Sequence, residues 1–324
     1  MSIHLAVDIQ NAIDSGHPIV ALETAVLTSG LPRSRWNNSF GQRPATIDDD
    51  LQINIAAAKL MTGAVQENGA IPAWIGVLRG TLRIGLTTEE IIELASEETA
   101  GKVSIATFSQ TLHRGESAGT TVAATLLACK LASPNNPIKI FATGGIGGVH
   151  QYWSTHLDVS ADLTALATTP TCVVASGAKS ILDLHATVES LETIGVPVLG
   201  LGTDTFPRFI ESSCQDDPSV FRVDSPTEVA SICNHHWKHL GLKSSVLVTI
   251  PCPSKLALKP DELKAQLSQA EKAWIESGQS STTRTPYLLN HLAISTQGRS
   301  LAANLALLCS NAGTAAKIAV ALSK

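Results

Sequence analysis

The fold is decided by two stretches in the middle of the chain: residues 138–150 read IKIFATGGIGGVH, and residues 171–179 read TCVVASGAK. Each stretch is a short apolar run that ends in a turn of small residues. After the second turn, apolar residues recur at helical spacing as far as Leu191, and Val196 begins another apolar run. This order predicts β-turn-α-β units, and so an α/β fold around a parallel or mixed sheet. Such sheets bind their ligands at the carboxyl ends of the strands, where these turns lie.

The rest of the chain continues this alternation of strands and helices. Residues 19–22 form an apolar run that ends at Glu23, which places a carboxylate at the end of a predicted strand. No change of composition marks a linker, so we expect one domain over residues 1–324. The spacing of apolar residues predicts a hairpin over residues 74–86 and helices over residues 47–68, 87–94, 181–191, 260–277 and 300–322, the last with Ser300 as its cap.

The composition of the 324 residues excludes several classes of protein. With 44% hydrophobic and 16% charged residues and a mean hydropathy of +0.16, the chain is expected to fold. A net charge of -5 and 4% aromatic residues argue against a basic groove for nucleic acid, so a small molecule is the expected partner. No apolar run is expected to be long enough to span a membrane. The six cysteines form no C-x-x-C pair and follow no signal peptide, which favours a reduced, cytoplasmic protein.

Lys179 is a candidate nucleophile. It follows a predicted strand, in a turn of small residues that we expect at the N-terminal end of a helix. The positive end of a helix dipole disfavours an ammonium ion, and a neutral amine is the form that attacks a sugar aldehyde to give a Schiff base. The alternative interpretation is structural, in which Lys179 pairs with Asp183 four residues further along the chain.

Asp158 and Asp162 are candidate ligands for a metal. They are four residues apart and would share a helix face or flank a tight turn. Two carboxylates so placed hold a hard divalent cation directly or through water. The alternative is that one of them caps the helix that begins there.

The run 144–150 contains four glycines but is not a dinucleotide fingerprint. His150 stands where the third glycine of G-x-G-x-x-G would be, and no acidic residue ends a strand about 20 residues later. Two interpretations remain for the glycines: a nest of backbone N–H groups that binds a phosphate, with His150 as a further donor, or a tight crossover turn. Lys102 and Thr121 add a cation and a hydroxyl at the predicted boundaries of other elements.

Taken together, these residues stand in motifs that resemble those of the pseudouridine-5'-phosphate glycosidases. The matches run in order from about residue 17 to residue 320, so they cover nearly the whole chain. They include Ala21-Leu22-Glu23, Lys102-Val103-Ser104, Thr120-Thr121-Val122-Ala123, Thr143-Gly144-Gly145-Ile146-Gly147-Gly148-Val149-His150, Asp158-Val159-Ser160-Ala161-Asp162-Leu163, Gly177-Ala178-Lys179-Ser180 and Ser300-Leu301-Ala302-Ala303-Asn304. A chance match of these motifs in this order is implausible.

The resemblance implies an enzyme that reversibly cleaves the C–C glycosidic bond of pseudouridine 5'-phosphate to uracil and ribose 5-phosphate. It also implies a lysine Schiff base, a divalent metal that is usually manganese, and a trimer of three-layer α/β/α subunits. By resemblance Lys179 is the nucleophile, Glu23 the proton donor and Asp158 the metal ligand. The positions that correspond to substrate contacts are Lys102, Thr121, Val122, His150, Ser160, Ala161, Asp162 and Asn304.

The rim of the expected site departs from the family pattern. Ser29-Gly30-Leu31-Pro32 stands where the family has His-Gly-Met/Leu-Pro, and residues 33–46 are expected to be an inserted loop. These departures leave two alternatives open: a Schiff-base lyase or aldolase on another phosphosugar, or a non-catalytic sugar-phosphate binding protein. Retention of both Glu23 and Lys179 argues against the second.

Overall fold

The computed structural model describes residues 3–134, 136–151, 153, 157–276 and 284–324. Eleven strands of this part form one sheet. They are β1 (Ile3–Leu5), β2 (Ile19–Glu23), β3 (Ile71–Leu78), β4 (Thr81–Ile84), β5 (Gly101–Val103), β6 (Ala118–Thr120), β7 (Ile140–Ala142), β8 (Cys172–Ala175), β9 (Val198–Leu201), β10 (Phe221–Val223) and β11 (Val246–Thr249). Their spatial order is β1-β4-β3-β2-β7-β8-β11-β9-β10, and β6 pairs with both β3 and β5.

The sheet is mixed but largely parallel, which confirms the prediction. Only the pairings of β3 with β4 and with β6 are antiparallel among the strands described. β3 and β4 form the predicted hairpin, whose turn residues Arg79 and Gly80 have φ of 47° and 70°, as a type I′ turn requires. β6 pairs with Gly76 and Val77, directly after the residues of β3 that pair with β2. β5 and β6 therefore extend the sheet past the carboxyl end of β2.

Helices cover both faces of the sheet. They are α1 (Val7–Asp14), α2 (Ile53–Glu67), α3 (Thr88–Ser96), α4 (Ile105–His113), α5 (Val122–Ala132), α6 (Ala161–Thr168), α7 (Leu184–Thr193), α8 (Pro226–Asn234), α9 (Pro260–Glu276), α10 (Arg284–Ser295) and α11 (Arg299–Leu322). Side chains alternate between the faces: in β2, Val20 and Leu22 join one hydrophobic core, and Ile19 and Ala21 join the other. Helices α2, α3, α8 and α11 pack on the first core, and α1, α4, α5, α6 and α7 pack on the second. The predicted three-layer α/β/α arrangement is confirmed.

Helix α11 corrects the expectation that no apolar run is long enough to cross a membrane. By length and composition it is the one helix of the described residues that could do so. It packs instead against α2, α8 and β7, and half of its most apolar window is buried. The predicted cap is also wrong, because Ser300 lies inside the helix, where its N–H donates to Oγ1 of Thr296 over 3.1 Å.

Two other predicted helices illustrate how local capping sets the boundaries. Helix α2 begins at Ile53 rather than at residue 47, since Asp48 accepts a hydrogen bond from the N–H of Asp50 and holds that segment as a turn. Helix α3 begins as expected, with a capping box between Thr87 and Glu90.

Candidate active site

Three neighbouring parallel strands end in the polar side chains at the centre of the site. β2 ends at Glu23, β7 is followed by Thr143, and β8 leads into the turn that carries Lys179. Because β7 pairs with β2 on one side and with β8 on the other, these three residues meet at one edge of the sheet. The hydroxyl of Thr143 donates a hydrogen bond to Oε1 of Glu23. The structure therefore brings together the predicted pair of Glu23 and Lys179 and adds Thr143 to it.

Glu23 is buried, and its surroundings change its acidity. Burial raises the pKa of Glu23 to about 7, against the opposing effects of the Lys179 charge and the hydrogen bond from Thr143. The negative charge of Asp162 adds to the rise. A carboxyl group with a pKa near 7 can both hold and release a proton at neutral pH, which is the property a general acid needs.

The turn that carries Lys179 is not a helix terminus. Helix α7 begins only at Leu184, where Asp183 caps it by accepting a hydrogen bond from the N–H of Ala186 over 3.0 Å. The predicted helix end at Lys179 is therefore wrong, because the backbone of residues 177–182 is held by other parts of the chain. The alternative pair of Lys179 with Asp183 also does not form among the ion pairs of the described residues, since Asp183 serves as the cap.

Two segments hold the lysine turn in place. On one side the N–H of Lys179 donates to the carbonyl oxygen of Ile146 over 3.3 Å. On the other side Gly177 has a φ of +70°, and a Cβ there would clash with the carbonyl of Pro207. Only glycine allows this approach, which lets the N–H of Phe209 donate to the carbonyl of the residue before Gly177.

Asp162 connects three elements of the site. It is buried in the first turn of α6, where its Oδ1 accepts from the N–H of Ala123 over 2.9 Å and its Oδ2 accepts from the N–H of Gly147 over 2.8 Å. Ser160 caps this helix, so Asp158 lies outside it. Asp158 and Asp162 therefore do not share a helix face. Asp162 holds backbone groups together, and its charge acts on both Glu23 and Lys102.

The glycine run serves close packing. The N–H of Gly147 is bound by Asp162, and the N–H groups of Ile146, Val149 and His150 donate to other protein acceptors. A Cβ on Gly147 would clash with Ser160. These contacts occupy four of the N–H groups in the run and fit a crossover turn, whereas the phosphate nest stays a prediction.

Lys102 approaches the centre from β5. It is more than a third exposed, yet burial of its ammonium and the nearby charge of Lys179 lower the pKa of Lys102, while Asp162 and Asp158 oppose this change. Lys102, Lys179, Asp158, Asp162 and Glu23 are thus electrostatically coupled. Their chemistry combines a buried proton donor, a primary amine and a second cation that can attract a phosphate.

Asp158 and His150 form the outer edge of the site. The Nδ1 atom of His150 lies 3.8 Å from Oδ2 of Asp158, and the side chain of Asp158 is 52% exposed. Within the described residues, no three side chains of His, Cys, Asp or Glu are grouped as metal ligands. An exposed carboxylate with room for water fits a hard divalent cation that keeps most of its hydration shell, as magnesium-like ions do. The donor set at Asp158 is compatible with such an ion.

Four further predicted positions lie at the starts of α5 and α6. Thr121 caps α5, its Oγ1 accepting from the N–H of Ala124 over 3.5 Å, and Val122 is the buried first residue of that helix. Ser160 caps α6 and Ala161 is its exposed first residue. The Asp162 carboxylate, itself in the first turn of α6, accepts the N–H of Ala123 at the start of α5, so these positions border the centre of the site.

Asn304 lies in a separate cavity of about 250 Å³ between the segment 28–33 and helices α10 and α11. It is buried, and its Oδ1 has no hydrogen-bond partner. Lys179 lines a neighbouring smaller pocket, and Phe209 and Ile210 form part of the wall of both. Asn304 therefore lines a cavity that adjoins the pocket beside Lys179, and its Oδ1 is a buried acceptor that no described protein group satisfies.

Several supporting residues were missed by sequence reasoning. Asn311 in α11 donates to the carbonyl of Thr143 over 2.8 Å and to Ser176 Oγ over 3.1 Å, which ties the turns after β7 and β8 together. Glu211 is buried beside the lysine turn, and burial raises its pKa to about 7. The signals were weak: a single amide within an apolar helical pattern, and a carboxylate in a loop-like stretch.

Comparison with known proteins identifies the family. A family model described as "Indigoidine synthase A like protein" matches residues 8–321. A pseudouridine-5'-phosphate glycosidase of Saccharopolyspora erythraea is 39% identical over 98% of this chain and 97% of its own length. Pseudouridine-5'-phosphate glycosidase 2 of Rhizobium johnstonii is 40% identical over 99% of this chain and 96% of its own.

Solved structures agree with these relatives. The crystal structure of an indigoidine synthase A-like protein from Thermotoga maritima has a TM-score of 0.83 and 31% identity, covering 100% of this chain and 97% of that one. The prealnumycin C-glycosynthase AlnA in complex with ribulose 5-phosphate has a TM-score of 0.83 and 32% identity at the same coverage. This chain therefore belongs to the indigoidine synthase A-like family, which includes the pseudouridine-5'-phosphate glycosidases that it resembles.

Proposed function

We propose that this protein is a pseudouridine-5'-phosphate glycosidase, which reversibly converts pseudouridine 5'-phosphate to uracil and ribose 5-phosphate. The observation that carries the proposal is the pairing of a buried Glu23, with its pKa raised to about 7, and Lys179 after β2 and β8, the two strands that flank β7. The names of the full-length relatives support the same activity.

The chemistry explains why a lysine and an acid would be needed. A C–C glycosidic bond has no leaving oxygen, so protonation of that bond by paired carboxylates is a poor route. We expect the Lys179 amine to bond to C1′ while the ring oxygen leaves and takes a proton from Glu23. The Lys179 nitrogen, positively charged after the attack, then gives up a proton. The C–C bond breaks with its electron pair going to the uracil carbon, which takes up that proton, and C1′ becomes the iminium of Lys179. Water hydrolyses this iminium and releases ribose 5-phosphate.

The other residues of the site are proposed to bind the substrate and the metal. We propose that Lys102 binds the phosphate. Its ammonium, on β5, is close enough to Lys179 for the two charges to interact. An ammonium ion binds phosphate oxygens through charge-assisted hydrogen bonds. His150, Asp162, Ser160, Ala161, Thr121, Val122 and Asn304 are proposed to contact the substrate. A divalent cation, which we expect to be manganese, would be held by Asp158 and water and would supply positive charge to the uracil oxygens.

We also propose a homotrimer in the cytoplasm. Support for an assembly comes from apolar side chains near Asp158 in the sequence that the single chain leaves exposed: Leu157 is 81% exposed, Trp153 47% and Val159 46%.

One observation favours a second candidate. The solved relative in complex with ribulose 5-phosphate is named a C-glycosynthase, so a member of this fold with a different named activity also binds a phosphosugar. A Schiff-base lyase or aldolase on another phosphosugar would use the same Lys179 and Glu23.

One assay separates these functions. The protein is incubated with uracil, ribose 5-phosphate and manganese, with metal-free and Lys179→Ala samples as controls, and pseudouridine 5'-phosphate is sought by mass spectrometry. We expect product only in the complete wild-type sample. A lysine adduct without product would indicate the phosphosugar lyase, and neither signal would indicate a binding protein.

A further inference from the structure

Arg33 opens the loop 33–46, and backbone carbonyls rather than a carboxylate bind its guanidinium. Nη1 donates to the carbonyl of Glu98 over 3.0 Å, and Nη2 donates to the carbonyls of Thr28 over 2.7 Å and Ala100 over 2.8 Å. No ion pair of the described residues includes Arg33. The planar guanidinium has donors in fixed directions, so three carbonyls hold it in one orientation.

The three carbonyls belong to two elements that meet beside the site. Thr28 lies in the π-helical turn Val26–Gly30, which comes shortly after β2 and its terminal Glu23. Glu98 and Ala100 belong to the segment that leads directly into β5. Arg33 therefore ties the turn after the acid-bearing strand to the start of the strand that carries Lys102.

β5 needs this tie because it is a short edge strand. It has three residues and, among the described strands, pairs with β6 alone, with Lys102 opposite Gly119. Thr28 supports the same strand: its Oγ1 donates to the carbonyl of Gly101 over 2.8 Å, and a Cβ on Gly119 would clash with it. An edge strand leaves backbone groups unpaired, and here Arg33 and Thr28 bind those that precede Lys102.

The position of β5 decides where the Lys102 ammonium lies. A lysine side chain loses up to about 2 kcal/mol of conformational entropy when it is held, so its contact with a ligand depends on a fixed backbone. A displacement of about 1 Å changes the distance between the Lys102 ammonium and a bound phosphate, and with it the strength of their charge interaction. Lys102 acts among the charges of Lys179, Asp158 and Asp162, where such a displacement changes its interactions directly.

We propose that Arg33 is a positioning residue that fixes β5 so that Lys102 meets the phosphate of the substrate. This inference rests on the proposed function for the identity of the substrate. The inference states that the position of Lys102 depends on Arg33. Binding of any phosphorylated sugar that contacts Lys102 would therefore be weakened by loss of Arg33.

The first test compares Arg33→Ala with a matched control, Arg35→Ala. Arg35 lies in the same loop, but its side chain is 65% exposed and its nearest carboxylate is 3.9 Å away. We expect Arg33→Ala to raise KM for pseudouridine 5'-phosphate about tenfold, as loss of part of a charge-assisted hydrogen bond would, with kcat changed less than about threefold. Arg35→Ala should match the wild type. Guanidinium ion added to Arg33→Ala should lower KM again.

A double-mutant cycle tests whether Arg33 acts through Lys102. In the Lys102→Ala background, Arg33→Ala should change KM by less than about twofold, because the group it positions is gone. If the two effects multiply instead, Arg33 acts independently of Lys102 and the proposal is overturned. An unchanged KM in folded Arg33→Ala would also overturn it.

Two further variants replace Arg33→Ala if that variant does not fold. A binding measurement replaces the kinetic assay if the wild type does not catalyse the proposed reaction. If Arg33→Ala does not fold, Arg33→Lys and Thr28→Val, which removes the hydroxyl bound to Gly101, should each raise KM in the same non-additive way. If the wild type lacks the reaction, calorimetry with ribose 5-phosphate replaces it: binding weakened by Arg33→Ala but not in the Lys102→Ala background keeps the inference and rejects the proposed function. A wild type that neither reacts nor binds rejects both.

Discussion

The centre and the rim of the site are built on different physical principles. At the centre, Glu23 and Thr143 are buried and Lys179 lies in a turn held on both sides by backbone hydrogen bonds. At the rim, Lys102 and Asp158 are exposed, and the nearby charges of Lys179, Asp162 and Asp158 act on Lys102. The difference indicates that the centre performs bond-making and proton transfer, whereas the rim binds and orients the charged parts of the ligand.

Loss of the amine at the centre should have the largest effect. Lys179→Ala removes the only group at the strand ends that we propose to bond to C1′, so kcat should fall roughly 10⁴-fold or more, as in enzymes that lose a covalent nucleophile. Lys59→Ala, an exposed lysine on α2, serves as the control and should keep wild-type kcat. Steady-state kinetics on pseudouridine 5'-phosphate checks both. A loss smaller than about tenfold would remove the distinction between centre and rim.

The acid at the centre should come next. Glu23→Gln cannot donate the proton, and we expect kcat to fall about 10²- to 10⁴-fold with little change in KM. The wild-type rate should fall as the pH rises above about 7, because the raised pKa of Glu23 then leaves it ionised. Glu67→Gln, an exposed carboxyl at the end of α2, is the control and should keep the wild-type kcat. If both variants lose activity equally, the role is not specific to Glu23.

The pH dependence of the free energy of unfolding should reveal the burial of Glu23 without any measurement of activity. Between pH 4.5 and 7 the folded protein keeps a proton on Glu23 that the unfolded chain has released, so wild-type stability falls as the pH rises through this window. The loss is about 3 kcal/mol by the conversion of a raised pKa into free energy. Denaturant unfolding of wild type and Glu23→Gln at pH 5 and pH 8 measures it. Parallel pH profiles for the two proteins would contradict the account.

Substitution of a rim residue should have the smallest effect, and that effect should appear in KM. Lys102→Ala removes one exposed cation, and we expect KM to rise about tenfold while kcat changes less than about threefold. Lys59→Ala again provides the control. If kcat of Lys102→Ala falls as far as that of Glu23→Gln, Lys102 takes part in the chemical step, and the distinction between centre and rim is wrong.

The sequence predicts the centre better than the rim and the connections. Glu23 and Lys179 were found because each follows an apolar strand, and parallel strands bring their carboxyl ends together. The strand order is not consecutive, so the contact of Thr143 with Glu23 depends on the pairing of β7 with β2, which no local pattern reveals.

Long-range contacts explain the remaining errors. Helix α7 begins at Leu184 because residues 146–150 bind the preceding backbone and Asp183 supplies the cap. Part of the glycine run packs against α6, because Asp162, fifteen residues after Gly147, accepts a hydrogen bond from the N–H of Gly147. The spacing of residues in the sequence does not predict these hydrogen-bond partners, since they become neighbours only after folding.

Covalent trapping tests the central claim most directly. The wild-type protein is incubated with ribose 5-phosphate, reduced with borohydride, and digested for mass spectrometry. We expect the mass of the reduced sugar phosphate on Lys179, formed by loss of water from amine and aldehyde followed by reduction of the imine. Glu23→Gln should be labelled more slowly at the same residue. Absence of label from the wild type, or label on Lys102 instead of Lys179, would contradict the assignment of Lys179 as the nucleophile.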